Sequence, residues 1–245
     1  MSKAVRALLV LAAALPPAAA AQADSAARPP LIRPAEAVAA AGLVAGSVLI
    51  DGWLRDEAQA QRSTATNDLA SFGNHFGDLR WVGPPLVAGW VAGRLTGHPR
   101  LAEATAKAFG AAVVAGAATG ALKVVIGRVR PRDTTAALAF RPFTKNTSFP
   151  SGHTTVAVAI ASSLAHSTPD GWSDVLFYGL AGLTGFARIN DNKHWLSDVA
   201  GGAVVGYLAG RQLTAGPGRA QVIAGPDHLG LAIPLGPLGD HIRNR

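Results

Sequence analysis

The sequence contains no cysteine. That absence excludes disulfides, zinc–thiolate sites and cysteine nucleophiles, and it suits an oxidising compartment without requiring one. Charge is scarce as well. Asp, Glu, Lys and Arg make up 15% of the 245 residues, against 49% hydrophobic residues, and aromatics contribute only 6%. Both balances lean away from an ordinary soluble domain, and the mean hydropathy of +0.25 agrees. The apolar excess is largely Ala, Val and Leu, with 28 glycines beside it. Small residues of this kind let helices pack closely, in water or in lipid. Acidic residues are the scarcer charge: 15 against 22 Lys and Arg, for a formal net charge of +7. A basic surface suits phosphorylated substrates, anionic lipid head groups or nucleic acid, although solubility alone would give the same balance. No Lys/Arg block with interleaved aromatics occurs, which disfavours nucleic acid. The chain has no internal repeat, and its length fits one sizeable domain.

Along the chain, residues 1–23 read as a secretory signal. Lys3 and Arg6 form the basic part, Ala7 to Leu15 the apolar part, and Ala21-Gln22-Ala23 a cleavage site. A membrane anchor is the alternative, but the apolar run is short for a span and Pro16-Pro17 ends it. Residues 24–34 form a loose, Pro-rich start to the mature chain. Six helical segments are expected at about 35–53, 81–97, 103–128, 152–167, 173–188 and 195–212. They are divided by Gly83-Pro84-Pro85, Gly97-His98-Pro99, Pro131, Pro150 and Pro169-Asp170-Gly171. The stretch 55–80 mixes charges with Leu69, Phe72, Phe76 and Leu79 and reads as an amphipathic connector. No segment sustains strand alternation, so the expected fold is an all-α six-helix bundle over 35–212. The tail, 213–245, is rich in Gly and Pro and expected to be irregular, with room for a short strand pair.

Three clusters carry chemistry. Lys123 and Arg130-Pro131 close the third segment. Seven residues apart, the two cations share one face if the helix runs through both, and Pro131 turns Arg130 away from the helical region. Cations at a helix C-terminus are also favoured by the macrodipole alone. Pro150-Ser151-Gly152-His153 opens the fourth segment. Free N–H groups there make an anion site, Gly lets a ligand approach the backbone, Ser adds a donor and His can pass a proton. An ordinary N-cap followed by a chance His reads the same way. Arg188, His194 and Asp198 form the third cluster. His194 and Asp198 are four apart and meet on one face if helical. A carboxylate on one imidazole nitrogen fixes the tautomer and raises the basicity of the other, as a histidine nucleophile requires. Taken together, two Arg, one Lys, a helix N-terminus and two His suit a phosphoryl dianion.

In this order the blocks K-x6-R-P, P-S-G-H and R-x5-H-x3-D resemble the signature of the type-2 phosphatidic acid phosphatase superfamily. That group spans bacterial acid phosphatases, lipid phosphatases and vanadium-dependent haloperoxidases. The resemblance runs from Lys123 to Asp198, with a similar helical pattern from about 35 to 212. One position departs: the Ser that usually precedes the third-block Arg is Ala187. The resemblance implies a bundle of the acid phosphatase/haloperoxidase type that hydrolyses phosphate monoesters or diphosphates, with a lipid phosphate, an isoprenoid diphosphate or a small soluble ester as substrate. It implies attack on phosphorus by His194, orientation of His194 by Asp198, and protonation of the leaving oxygen by His153. Lys123, Arg130 and Arg188 would hold the phosphate oxygens, with hydrogen bonds from Ser151 and Gly152, and no cofactor. Between Lys107 and Arg188 the carboxylates are Asp133, Asp170 and Asp174, which do not cluster as metal ligands. His75, His98, His166, His228 and His241 lack partners at motif spacing and read as structural or surface residues. A vanadium haloperoxidase and a non-catalytic anionic-lipid-binding envelope protein are the alternatives. The intact His153, His194 and Asp198 speak against a pure binder.

Location divides two ways. The composition suits a membrane, yet the charge-free stretch between Lys107 and Lys123 is shorter than the about 20 apolar residues of a span. A cleaved signal also puts residue 24 outside, and three crossings would then place Lys123 to Pro150 in the cytoplasm. A periplasmic bundle lying on the membrane is therefore preferred to an integral inner-membrane protein whose site faces the periplasm.

Overall fold

A computed structural model of the chain describes residues 32–168, 171–214, 221–224 and 229–232. The signal segment 1–23, Pro169, Asp170, His228, His241 and most of the Gly/Pro-rich tail lie outside the described residues. Seven helices are present among them: α1 (Pro34–Ala60), α2 (Thr64–Phe76), α3 (Leu79–Leu95), α4 (Pro99–Ile126), α5 (Gly152–Ser167), α6 (Gly171–Asn190) and α7 (Leu196–Thr214). Two short strands, β1 (Gln221–Ala224) and β2 (Leu229–Ala232), pair antiparallel within the tail.

The bundle has one helix more than the sequence suggests. The connector 55–80 resolves into the end of α1, all of α2 and the start of α3. Local capping explains the division. The Ser63 hydroxyl accepts from the Thr66 N–H while Thr66 reaches back to the Ser63 N–H, a reciprocal cap that starts a new helix. Asp78 then caps α3 by accepting from the Arg80 N–H. Gly83-Pro84-Pro85 is no turn: both prolines lie inside α3, on its exposed side, at the cost of two backbone hydrogen bonds.

α5 is the axis. It packs against α4, α6 and α7, and ten of its residues from Thr154 to Ala165 are buried. The approach of α7 is set by Gly202, Gly206 and Gly210. A Cβ at Gly206 would lie 2.4 Å from the Thr155 carbonyl oxygen, and one at Gly210 would lie 2.7 Å from that of Ala159. Glycines at four-residue spacing thus line the α5-facing stripe of α7. α1 runs antiparallel to α7: Glu36 near its start pairs with Arg211 at 2.8 Å, while Asp51 and Arg55 reach the region around residues 128–131.

Small residues fill the interior and bulky ones face out. α4 buries Ala102, Ala108, Ala111, Ala112 and Ala115 while exposing Val113, Val124 and Val125, and α1 exposes Val38, Leu49 and Trp53. α1 and α4 are each long and apolar enough to cross a membrane by length and composition. The charge that interrupts α4, Lys107, is paired with Glu103 at 2.5 Å.

Candidate active site

α4 stops at Ile126 because Gly127 takes a left-handed conformation, φ 59° and ψ 36°, which glycine adopts without steric cost. A Cβ there would sit 1.9 Å from the Arg141 carbonyl oxygen. Lys123 and Arg130 therefore do not share a helical face. Lys123 lies in the last helical turn, and Arg130 in the loop beyond. The loop folds both toward one place. The Lys123 ammonium donates to the carbonyls of Thr147 and Ser148, and the Arg130 guanidinium donates to the Thr147 hydroxyl at 3.2 Å.

α5 begins beside them. Ser151 is its N-cap residue and Pro150 precedes it, so the proline stands one step outside the first turn rather than setting it. The Ser151 N–H is bonded to the Asp198 carbonyl at 2.9 Å, and the Thr154 hydroxyl donates to Ser151 Oγ at 3.0 Å. The N–H groups of Gly152 and His153, in the first turn, have no helical acceptor of their own. A Cβ on Gly152 would stand 3.8 Å from Lys123 Cε, which places this helix start against the Lys123 side chain.

His194 lies just before α7, not within it. The meeting with Asp198 comes from the way α7 starts: Asp198, in its first turn, accepts from the Trp195 N–H at 2.9 Å and turns its carboxylate back over His194. Nδ1 of His194 stands 3.4 Å from Asp198 Oδ2. That is ion-pair range but too long for a full hydrogen bond, and Nδ1 has no other partner. Contacts of this kind tighten around a bound substrate. With Nδ1 facing the carboxylate, Nε2 is the nitrogen left for chemistry.

Arg188 is buried and donates to the Asn74 side-chain oxygen, while its Nε is buried with no partner among the described residues. An unspent guanidinium donor in a closed site is suited to an anion's oxygen. The groups also feel one another electrostatically. Lys123 and Arg188 both act on His194, Arg188 acts on His153, and Arg130 acts on Lys123 and Arg188. Lys123, Arg130, Ser151, Gly152, His153, Arg188, His194 and Asp198 are thus brought to one end of the bundle.

Burial pushes His194 down to about 3, against the opposing pull of Asp198. Burial, reinforced by Arg188, brings His153 to about 4. Burial also lowers Arg188, to about 10. For Asp198 burial works upward, but the neighbouring His194, the charge of Arg128 and the bond from Ser148 outweigh it and hold the carboxyl below its usual range. Both imidazoles are therefore neutral near pH 7.

Four residues in this cluster escaped the sequence reading: Asp51, Asn74, Arg128 and Ser148. Ser148 donates to Asp198 Oδ2. Arg128 sits inside the first motif block, two residues before Arg130, and its position there was the available signal. Asp51 was signalled only as a lone carboxylate within an apolar helix. Ala187, at the departing position, is fully buried. Of the other histidines, His75 and His166 bond through Nδ1 to carbonyls of their own helices, and the Nδ1 of His98 meets the Thr96 hydroxyl.

Residues 104–220 match the family profile described as PAP2 superfamily. A curated relative, the lipid A 1-phosphatase of Porphyromonas gingivalis, is 41% identical over 105 residues, which is 42% of this chain and 21% of the relative. The match thus spans about a fifth of that protein's length. Among solved structures, Aquifex aeolicus LpxE superposes with a TM-score of 0.50 at 19% identity, over 66% of this chain and 92% of that one; the likeness concerns the fold. A transmembrane PAP2-type phosphatidylglycerolphosphate phosphatase from Bacillus subtilis gives 0.48 at 23% identity, over 85% and 92%.

Proposed function

Starting from a segment, 104–220, that matches the PAP2 superfamily, we propose that this chain is a phosphoric ester hydrolase working through a phosphohistidine on His194. One observation carries the reading: three distant motif blocks converge so that a carboxylate-backed imidazole lies at the same end of the bundle as Lys123, Arg130 and Arg188, with Lys123 and Arg188 acting on it directly. His194 Nε2 forms a bond to phosphorus as the phosphorus–oxygen bond to the leaving group breaks, and His153 passes a proton to that oxygen. Water then gives its proton to His153 and its oxygen to phosphorus, the nitrogen–phosphorus bond breaks, and phosphate leaves. A phosphate dianion beside His153 raises that residue's hold on its proton, so the acid is charged when the substrate is bound. The three cations, joined by the free N–H groups of Gly152 and His153, stabilise the equatorial oxygens. This preorganised charge is the main catalytic contribution expected for phosphoryl transfer.

The substrate class we infer is a lipid phosphate. The lipid A 1-phosphatase relative supports it, and so does an apolar groove along α3 and α4. Leu79, Pro84, Val87, Val91, Leu95 and Phe109 line it. Its upper end carries Arg80, which with Asp78 acts on His153. The inverted pattern of small residues inside and bulky apolar residues outside suits lipid-facing helices. We therefore favour a membrane-embedded bundle in which α1 and α4 cross the bilayer, over a bundle resting on its surface.

The test is hydrolysis of p-nitrophenyl phosphate and of a phospholipid monoester by purified protein in EDTA. Activity in the wild type and its loss in His194→Ala, by at least about 10⁴-fold, is the expected result. Full activity in the variant would sink the assignment of the nucleophile, and an inert wild type on every phosphate ester would sink the function.

A further inference from the structure

Behind the His194–Asp198 pair lies a second, deeper arrangement that the reaction just proposed does not use. Asp51, Arg128, Ser197 and Asp198 are each 1% exposed or less. Arg128 Nη1 donates to Asp198 Oδ1 at 2.7 Å and to Ser197 Oγ at 2.6 Å. Its Nη2 donates to Asp51 Oδ2 at 2.7 Å, and Nε and Nη2 both reach the Ala137 carbonyl, at 3.0 and 2.6 Å. All five guanidinium donors are therefore committed. The guanidinium carbon also lies over the rings of Phe140 and Trp195, 5.6 and 5.5 Å from their centroids. Asp51 closes the circuit. Oδ1 accepts from the Ser197 N–H at 2.9 Å and Oδ2 from the Ser197 hydroxyl at 2.6 Å.

Charge makes the arrangement informative. Arg128 alone against Asp198 would leave a neutral pair behind His194. Such a pair gives little support to the cationic imidazole that exists while phosphorus is bonded to Nε2. Asp51 adds a second carboxylate on the far side of the guanidinium, so the buried trio carries a net negative charge. It does so without touching the substrate. Burial of charge in this way is costly unless geometry and hydrogen bonding are complete, and here they are.

We propose that Asp51 and Arg128 are positioning residues for the hydrolysis: Arg128 fixes the Asp198 carboxylate in the plane that meets His194, and Asp51 restores the negative charge that Arg128 would otherwise cancel. Asp51 lies on α1, outside the residues matched by the family profile, so this part of the machinery comes from an element that the motifs do not reach. The inference rests on the phosphohistidine reading above.

Asp51→Asn preserves size while removing the charge and one of the two acceptor oxygens. Steady-state kinetics on p-nitrophenyl phosphate and competitive inhibition by inorganic phosphate read out its effect. The expected result is a kcat lower by roughly 10- to 100-fold, taking as a guide the loss when partners that orient metal ligands are altered. KM and the phosphate inhibition constant stay within about twofold, because Lys123, Arg130 and Arg188 are untouched. Arg128→Lys, which keeps the charge and loses the fork, shows the same split and serves as the second variant. A folded Asp51→Asn enzyme with wild-type kcat overturns the proposal. So does a parallel loss of kcat and of phosphate affinity, or failure of both variants to fold, each of which marks the trio as a fold anchor only. An inert wild type instead defeats the hydrolase reading and is thereby told apart from these outcomes.

Discussion

At the scale of single residues, His153 and His194 reach neutrality by the same route, burial among cations, but the proposed chemistry needs them in opposite states. His194 must be unprotonated to attack, and with a value near 3 it stays so down to strongly acidic pH. His153 must carry a proton to release the leaving group, and at about 4 the free protein holds it only in acid. Thus kcat/KM, which reports the free enzyme, is expected to be highest well below pH 6.5 and to fall as pH rises through the value of His153. The limb of kcat itself is expected at higher pH, because bound phosphate raises that value. Pre-steady and steady-state pH profiles check the order of the two limbs. His153→Ala should remove the alkaline limb and slow an alkyl phosphate by about 10²–10⁴-fold, with a smaller loss for p-nitrophenyl phosphate, whose leaving group needs little help from an acid. The participants in this chemistry were legible because short spacings survive folding: His194 and Asp198 remain neighbours even though His194 stands outside the helix. Asn74 and Asp51 were not, because their partners lie 114 and 77 residues away, and nothing local announces such a pairing.

The helices themselves were legible from composition and breakers, with boundaries shifted by a few residues at most ends. α2 was the exception. Of its large apolar side chains, Leu69 and Phe72 are exposed and Phe76 alone packs on the core, while the small Ala70 and Gly73 are buried, so a search for a bulky inward stripe finds little. Glycine roles divide by element in the same way. Gly127 terminates α4 in a left-handed conformation and abuts the Arg141 backbone. Gly127→Ala is therefore expected to cost more than the about 1–2 kcal/mol of a left-handed alanine and to depress activity by displacing Arg128 and Arg130. Gly116, inside the same helix, faces open space. Gly116→Ala is expected to raise stability by roughly 0.5–1 kcal/mol and leave turnover unchanged. Thermal unfolding of the two variants side by side checks both signs.

For the whole molecule, the direction of α1 decides the topology. Its start lies at the end of the bundle opposite the site, beside Arg211, and its second half reaches the site. If α1 crosses the bilayer with the site outside, Pro34 lies on the cytoplasmic face, which is incompatible with a cleaved signal that exports residue 24. We expect the protein to resist carbonate extraction and to need detergent, and reporters placed before Pro34 and between residues 132 and 146 to fall on opposite sides of the membrane. Release by carbonate, with both reporters outside, would return the periplasmic bundle. The trio of Asp51, Arg128 and Asp198 carries a further consequence, for assembly. Its members come from α1, the loop after α4, and α7, with 77 and 70 residues between bonded partners. Loops of that length close late, after local helices have formed. On the proposed reading, a chain with α1 undocked would hold Arg128 and Asp198 without the second carboxylate, Asp51. On the reading proposed above, turnover would therefore require α1 to be seated.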